Sequence, residues 1–217
     1  MKKRTTSRAH SNSRPVARKG APSRARSRSR APQLSHEWLK HFFSEMLAVE
    51  HGGIELYEKA LEELTHDDLR SKLEQFHEQT QRHVELCEEM LHAAGGNEDE
   101  MSPAAQAAEH KAQGLLSADV PDELKDINNI ENLVLAETKD HWNWELLGSL
   151  MEKIEERELK KLVSRAVREV RKQENDHLSW NQKMLTRLAT EAAHHQPEME
   201  EGEAEGDEEG GAEQEDY

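Results

Sequence analysis

The chain has one cysteine, Cys87, among 217 residues, and aromatic residues make up only 4% of it. A single cysteine excludes an intrachain disulfide and fits a reducing, cytoplasmic compartment. No run of about 18 apolar residues occurs, so the sequence predicts no membrane span. The N-terminus lacks the apolar stretch of a secretory signal, although its Arg- and Ser-rich, acid-poor composition is shared with organelle transit peptides.

Each end of the chain lacks charge of one sign. Residues 1–33 carry eleven Lys or Arg and no acid, and residues 196–217 carry eleven Asp or Glu and no base. These charges cancel, so the net charge of −16 falls on the residues between them. Both ends are too poor in apolar residues to offset the entropy of ordering. We therefore predict disordered tails at 1–34 and 195–217 around one folded domain at 35–194.

The basic tail suggests one function of its own. Cationic residues without acids bind phosphate backbones independently of sequence, and the lack of aromatics argues against base stacking. This pattern favours a non-catalytic, nucleoid-associated or scaffold protein that binds DNA or RNA. A tail that only solubilises the chain is the plain alternative. The candidate contacts are Lys2, Lys3, Arg4, Arg24, Arg26, Arg28 and Arg30.

Apolar residues recur at helical spacing through the central domain, which predicts an all-α fold with four long helices. Ser35 is placed to cap the first helix, and Gly95 and Gly96 to end the second. The third starts near Pro121, and a break at 155–158 precedes a fourth that runs to about Thr190. The 95–121 connection is too long for a hairpin turn. We therefore predict an antiparallel four-helix bundle with a long crossover, including a short helix after Ser102-Pro103.

Two glycines interrupt the apolar face of the first helix. Gly52 and Gly53 follow Glu50 directly, and a mid-helix glycine costs about 1 kcal/mol relative to alanine. Such a cost needs a structural reason. We expect either a close approach of another helix or a local π-bulge beside Glu50.

Ionisable residues occupy three of the predicted inward faces. Glu50 lies among apolar residues of the first helix, Glu137 among those of the third, and Glu174 and His177 among those of the fourth. A buried carboxylate usually neutralises, pairs or binds a metal. Carboxylates and an imidazole on several inward faces of a helix bundle therefore indicate a metal site, most economically a di-iron site.

The same spacing occurs twice. His83 follows Glu50 by 33 residues, and His177 follows Glu137 by 40. The excess of seven residues is about one extra turn in each helix of the second pair. In this alignment Thr80 stands where the second half has Glu174, so the first half of the site is one carboxylate short.

This arrangement resembles the ferritin-like superfamily, and within it the rubrerythrin-type bundles. The likeness implies a di-iron centre held by Glu50, His83, Glu137, Glu174 and His177, with manganese or zinc as alternatives. It implies iron oxidation or storage, or the handling of dioxygen or peroxide by a ferroxidase or peroxidase, and it implies a homo-oligomer. The family pattern has a carboxylate at the position of Thr80. Its absence makes His77 and His141 further candidate donors, and a mononuclear, weak or vestigial site is the alternative. The four-cysteine module of rubrerythrins is excluded by the cysteine count.

Two other interpretations stay open at this point. The inward residues could form structural ion pairs, for example between Glu174 and His83. A haemerythrin-like, oxygen-binding bundle is the other, but it needs His-rich motifs on several helices, and the second half offers mainly His141 and His177.

Overall fold

A computed structural model describes residues 34–194, so the predicted disordered tails and the candidate nucleic-acid contacts lie outside the described residues. The described part is helical and contains no strand, which confirms the all-α prediction. Short 3₁₀ turns at Asp67–Leu69, Asp122–Leu124 and Met151–Lys153 join or extend the helices. The five α-helices are α1 (His36–Glu62), α2 (Arg70–Ala93), α3 (Pro103–Leu116), α4 (Lys125–Leu150) and α5 (Arg157–His194).

Helix ends follow the signals that the sequence carries. The Ser35 side chain accepts a hydrogen bond from the backbone of Trp38 at the start of α1, and Ser102 caps α3 through Ala105. Helix α2 ends where Gly95 adopts a φ of 78°, a left-handed conformation that glycine takes without steric cost. These caps confirm the predicted start of α1, the end of α2 and the short helix in the crossover.

The four long helices contact one another in a ring, with α1 against α2 and α4, and α5 against α2 and α4. Their buried apolar residues form two clusters. One is built around Phe43, Met90 and Val163, and the other around Tyr57, Phe76 and Leu133. On each long helix, buried polar residues lie between the two clusters, so the core contains a polar layer.

Helix α3 explains the glycines of α1. A Cβ on Gly52 would lie 2.7 Å from the Cβ of Ala112, closer than such atoms ever approach, so α3 packs directly on the α1 backbone. A Cβ on Gly53 would lie 3.4 Å from the Thr80 methyl group of α2. Helix α1 is α-helical throughout this segment, so close approach is the reason and there is no π-bulge.

The turn between α1 and α2 is held by a residue of α4. The Asp126 carboxylate accepts hydrogen bonds from the backbone amides of Thr65 and His66 and from the Thr65 hydroxyl. No side chain of the described residues caps α2 or the 3₁₀ turn before it. A carboxylate about sixty residues away supplies the acceptor for the turn instead.

Within residues 34–194, no helix combines the length and the apolar character needed to cross a membrane.

Candidate metal centre

Two groups of three ionisable side chains meet in the polar layer. Within each group the candidate ligand atoms lie within 4.8 Å of one another. All six residues are at most 6% exposed. The first group is Glu50, His83 and Asp140, and the second is Glu137, Glu174 and His177. The structure thus brings together all five residues that the resemblance implies as metal ligands.

Asp140 is the residue that the sequence interpretation missed. It lies on α4 one turn after Glu137, and it supplies the first group with a second carboxylate. The alignment of the two halves places Gly53 opposite Asp140, as it places Thr80 opposite Glu174. The first half therefore lacks two carboxylates that the second half carries, and the six residues together still provide four carboxylates and two imidazoles.

Both imidazoles are held from outside by glutamine side chains. His83 Nε2 lies 2.8 Å from Gln173 Oε1 of α5, and His177 Nε2 lies 2.8 Å from Gln79 Oε1 of α2. Since the amide oxygen accepts, each Nε2 carries a proton, and when the ring is neutral its Nδ1 presents a lone pair to the centre. An outer acceptor of this kind fixes the tautomer and orientation of a metal-binding histidine.

The inward nitrogens face the carboxylates. His83 Nδ1 lies 3.5 Å from Glu50 Oε2, and His177 Nδ1 lies 3.4 Å from Glu137 Oε2. Glu174 Oε1 is 3.1 Å from His83 Nδ1 and 3.4 Å from His177 Nδ1. Glu174 therefore stands between the two groups and belongs to the surroundings of both.

Two aromatic donors hold the outer carboxylate oxygens, each from the opposite half. The Tyr57 hydroxyl donates to Glu137 Oε1 at 2.5 Å, and the Trp144 indole N–H donates to Glu50 Oε1 at 2.9 Å. Tyr57 follows Glu50 by seven residues on α1, and Trp144 follows Glu137 by seven on α4. Each aromatic donor thus bonds to a glutamate of the other helix pair, just as each glutamine bonds to a histidine of the other helix pair.

Seven atoms of the six residues are buried without a hydrogen-bond partner. They are Glu50 Oε2, His83 Nδ1, Glu137 Oε2, Asp140 Oδ1, both carboxylate oxygens of Glu174 and His177 Nδ1. Buried polar atoms are nearly always paired, and unpaired ones point to strain, function or a bound ion. These seven occupy one layer and include a free donor atom from every member of both groups. The donor set fits metal ions.

The electrostatics of the metal-free centre oppose full ionisation. Burial, and then the charges of Glu50 and Glu137, raise the pKa of Asp140 well above its ordinary value. Burial, and then Asp140 and Glu137, do the same to the pKa of Glu174. Burial also acts to raise the pKa of Glu137, but the charge of a protonated His177 and the hydrogen bond from Tyr57 lower it overall. Four carboxylates therefore do not ionise together here without added positive charge.

The other nominated residues lie elsewhere. The His77 side chain is only 18% exposed, but its Nε2 lies 3.5 Å from a Glu58 carboxylate oxygen, and it belongs to neither group. His141 packs edge-on against Trp142 and also belongs to neither. The Thr80 hydroxyl donates to the backbone carbonyl of Phe76 within α2, so it is satisfied without a ligand.

Comparison with known proteins places this architecture in a family. No curated protein and no solved structure matches the chain. A family model described as "Domain of unknown function (DUF892)" matches residues 34–194, which are all the residues that the structure describes. The match covers well over half of the sequence, and the chain therefore belongs to this family, which is of the ferritin-like type.

Proposed function

We propose that the chain is a ferritin-like, rubrerythrin-type four-helix bundle that binds two metal ions, with iron preferred. Its activity is the oxidation or storage of iron, or the handling of dioxygen or peroxide. One observation carries the proposal: seven buried atoms, from four carboxylates and two imidazoles on four helices, have no hydrogen-bond partner. Four helices that each direct ligands inward are the usual way in which a bundle holds two metal ions.

The charge balance supports two cations. Four ionised carboxylates carry four negative charges, and two divalent ions balance them while both imidazoles stay neutral. Structural ion pairs account for only two of these charges. With both histidines protonated, the other two carboxylates stay neutral by holding protons, as the raised pKa values of Asp140 and Glu174 indicate. The outer Gln79 and Gln173 acceptors are consistent with neutral rings whose Nδ1 atoms serve as ligands.

The chemistry of the ligand set favours iron or manganese. Each group offers one imidazole and two carboxylates, a mixture of nitrogen and hard oxygen donors that suits these metals and, less exclusively, zinc. Iron held by these six residues would supply redox chemistry, in which oxidation of Fe(II) to Fe(III) accompanies reduction of dioxygen or peroxide. A haemerythrin-like centre is less well supported, since only two histidines reach the polar layer and carboxylates outnumber them.

The surrounding residues hold the ligands ready. Tyr57 and Trp144 occupy the outer oxygens of Glu137 and Glu50, so that the second oxygen of each carboxylate faces the centre. Phe76 packs with its ring centre 4.2 Å from that of His177, which keeps bulk water from this side. The chain thus bears the cost of orienting its ligands when it folds, before any metal arrives.

Metal loading tests the site. Purified protein is loaded anaerobically with Fe(II), freed of excess, and its metal content is measured by elemental analysis. We expect about two ions per chain in the wild type and fewer in Glu174→Gln and Asp140→Asn. Asp176→Asn and His77→Gln are the matched controls, because Asp176 is an exposed carboxylate on the same helix and His77 is a histidine outside both groups. A wild type that retains no iron, manganese or zinc supports the ion-pair interpretation instead.

Oxidant addition tests the activity separately. Dioxygen or hydrogen peroxide is added to the loaded protein, and Fe(III) formation is followed by absorbance. We expect faster oxidation in the wild type and the two controls than in free Fe(II) or in Glu174→Gln. Tight binding of two ions without faster oxidation keeps the metal site and rejects the proposed redox role.

A further inference from the structure

The outward face of α4 differs from that of a helix that meets only water. The exposed residues of α4 recur every three or four positions and therefore lie on one side of the helix. Three of them are large and apolar: Leu135 is 54% exposed, Trp142 66% and Leu146 44%. Leu124, in the 3₁₀ turn just before α4, adds a fourth at 43%. We call these four residues, with the polar residues between them, the α4 face.

The neighbouring helix provides the contrast. The exposed positions of α5 carry mostly charged or polar side chains, among them Lys161, Arg165, Lys172 and Asp176. Six large hydrophobic residues are exposed in the part of the chain that the structure describes, and four of them belong to the α4 face. Apolar residues gathered in this way mark an interaction surface, whereas singly scattered ones do not.

Three of the four apolar residues of the α4 face are spaced symmetrically about Leu135, whereas Trp142, seven positions after it, corresponds to Asn128 seven positions before it. Leu124 and Leu146 lie eleven positions before and after Leu135. Eleven residues are close to three helical turns, or about 16 Å along the axis. Two copies of α4 that cross antiparallel at Leu135 would place Leu135 against Leu135 of the partner subunit. The same axis would place Leu124 against Leu146 of the partner subunit at both ends.

The charges on the face select the same arrangement. Glu131 and Lys139 are exposed and lie four positions before and after Leu135. Antiparallel pairing sets each Glu131 opposite a Lys139, whereas parallel pairing sets like charges against each other. Lys139 already reaches Glu45 at 2.7 Å within its own chain, so it would lie between two carboxylates. A contact in which every residue meets its own counterpart in reverse order closes as a two-fold dimer.

We propose that the α4 face joins two copies of this chain in an antiparallel, two-fold dimer whose axis passes at Leu135. This goes beyond the proposed function and does not depend on it, because none of the six residues of the metal centre lies on the face. The metal centres of the two subunits are predicted to stay complete within each chain.

Cysteine crosslinking tests the axis. Leu135→Cys is expected to form an intermolecular disulfide under mild oxidation, since the two substituted residues meet on the axis. Leu124→Cys and Leu146→Cys alone are expected not to crosslink, because equivalent residues lie about 33 Å apart, but a mixture of the two variants should. The native Cys87 is fully buried and provides the background in the unsubstituted chain.

Solution mass tests the face as a whole, by light scattering and sedimentation of the full chain. We expect a dimer at micromolar concentration, and for Leu135→Glu a dissociation constant at least 100-fold higher. Met101→Glu is the control, since Met101 is 37% exposed but lies outside the α4 face. Glu131→Lys and Lys139→Glu should each weaken the dimer, and the double variant should restore it. A monomeric wild type, or a dimer that neither Leu135→Glu nor the charge reversals affect, overturns the proposal.

Discussion

The α1–α2 hairpin and the α4–α5 hairpin present the same framework with different charges. Each supplies a glutamate from its first helix, and a glutamine and a histidine from its second, at matching positions. At two further matching positions the first hairpin has Gly53 and Thr80, and the second has Asp140 and Glu174. The comparison indicates that both hairpins together determine how many carboxylates the polar layer contains, so one hairpin can lack carboxylates that the other supplies.

The largest difference between the halves is expected at Thr80 and Glu174. Glu174→Gln should remove at least one of two bound ions per chain, because Glu174 faces both imidazoles. Thr80→Val should leave the metal content unchanged, since the Thr80 hydroxyl bonds only to its own helix. Elemental analysis after Fe(II) or Mn(II) loading checks both. Equal losses in the two variants would contradict the assignment of all four carboxylates to Glu50, Glu137, Asp140 and Glu174.

Moving a carboxylate from one hairpin to the other tests whether only the total number of carboxylates in the polar layer matters. Asp140→Gly gives the second hairpin the residue that the first has at this position, and it should lower the metal content to about one ion per chain. Adding Thr80→Glu returns a carboxylate from the other side of the layer and should restore part of the second ion. The measurement is a titration with Mn(II) followed by electron paramagnetic resonance. Thr80→Glu in the unaltered chain is the control for damage to folding.

The second hairpin should make the stability of the metal-free protein depend on pH. Asp140 and Glu174, both in the second hairpin, have folded pKa values well above their ordinary values of 3.8 and 4.5. The folded state therefore holds these protons where the unfolded chain has released them. The contribution of these two groups to the free energy of unfolding is therefore complete below about pH 4. It decreases as pH rises through the raised pKa values, by up to about 1.4 kcal/mol per pH unit for each proton.

Denaturant unfolding of the metal-free protein between pH 4 and pH 8 measures that slope. Glu174→Gln should flatten it, because the amide does not titrate. An unchanged slope in this variant would assign the pH dependence to groups outside the centre.

The glutamines should have smaller effects, and similar ones in both halves. Gln79→Ala and Gln173→Ala each remove the acceptor that orients one imidazole, and loss of such a partner typically lowers metal affinity by about 10- to 100-fold. Isothermal titration with Mn(II) compares them, with Gln182→Ala, an exposed position on α5, as the control. A large loss in only one of the two would show that the metal positions depend unequally on their outer partners.

The smallest effects on metal content are expected at the aromatic donors, whose loss should appear in stability instead. Tyr57→Phe removes the hydroxyl that bonds to Glu137 without changing the ring, so it should lower the free energy of unfolding of the metal-free protein by about 1 to 3 kcal/mol. Trp144→Phe removes the matching bond to Glu50 and also leaves a cavity, so it should cost more. Denaturant unfolding of both variants measures the difference. If the Tyr57→Phe variant is as stable as the wild type, Glu137 must accept a hydrogen bond from another donor.

Much of the fold was predictable because its signals are local. Ser35, Gly95 and Ser102 act on their own helix ends, and helical periodicity identified the inward phase of Glu50, Glu137 and the Glu174–His177 pair. Asp140 was missed although it lies three positions after Glu137, the same spacing as Glu174 to His177. Residues three and four positions on both lie near one face. The sequence analysis selected His141 as a candidate donor, and only the packing of α4 in the structure shows that Asp140 faces inward instead.

The partners of the ligands were not predictable in the same way. Whether Gln79 meets His83 on its own helix or His177 on α5 depends on the relative height of the two helices, which periodicity does not give. The same holds for Tyr57 with Glu137 and Trp144 with Glu50. Such contacts follow from register between elements far apart in the chain, and a single sequence contains no local signal for them.

The hydrogen bonds between Asp126 and the α1–α2 turn affect how the protein unfolds locally. A hairpin from a duplicated framework would be expected to hold its own turn, yet the amides of Thr65 and His66 are bonded to a carboxylate of α4. Those two amides should exchange with solvent deuterium only when α4 moves away, at the rate of the α4 amides around Asp126 rather than that of an ordinary surface turn. The two hairpins then behave as one cooperative unit, and hydrogen exchange at a loop reports on the opening of the core.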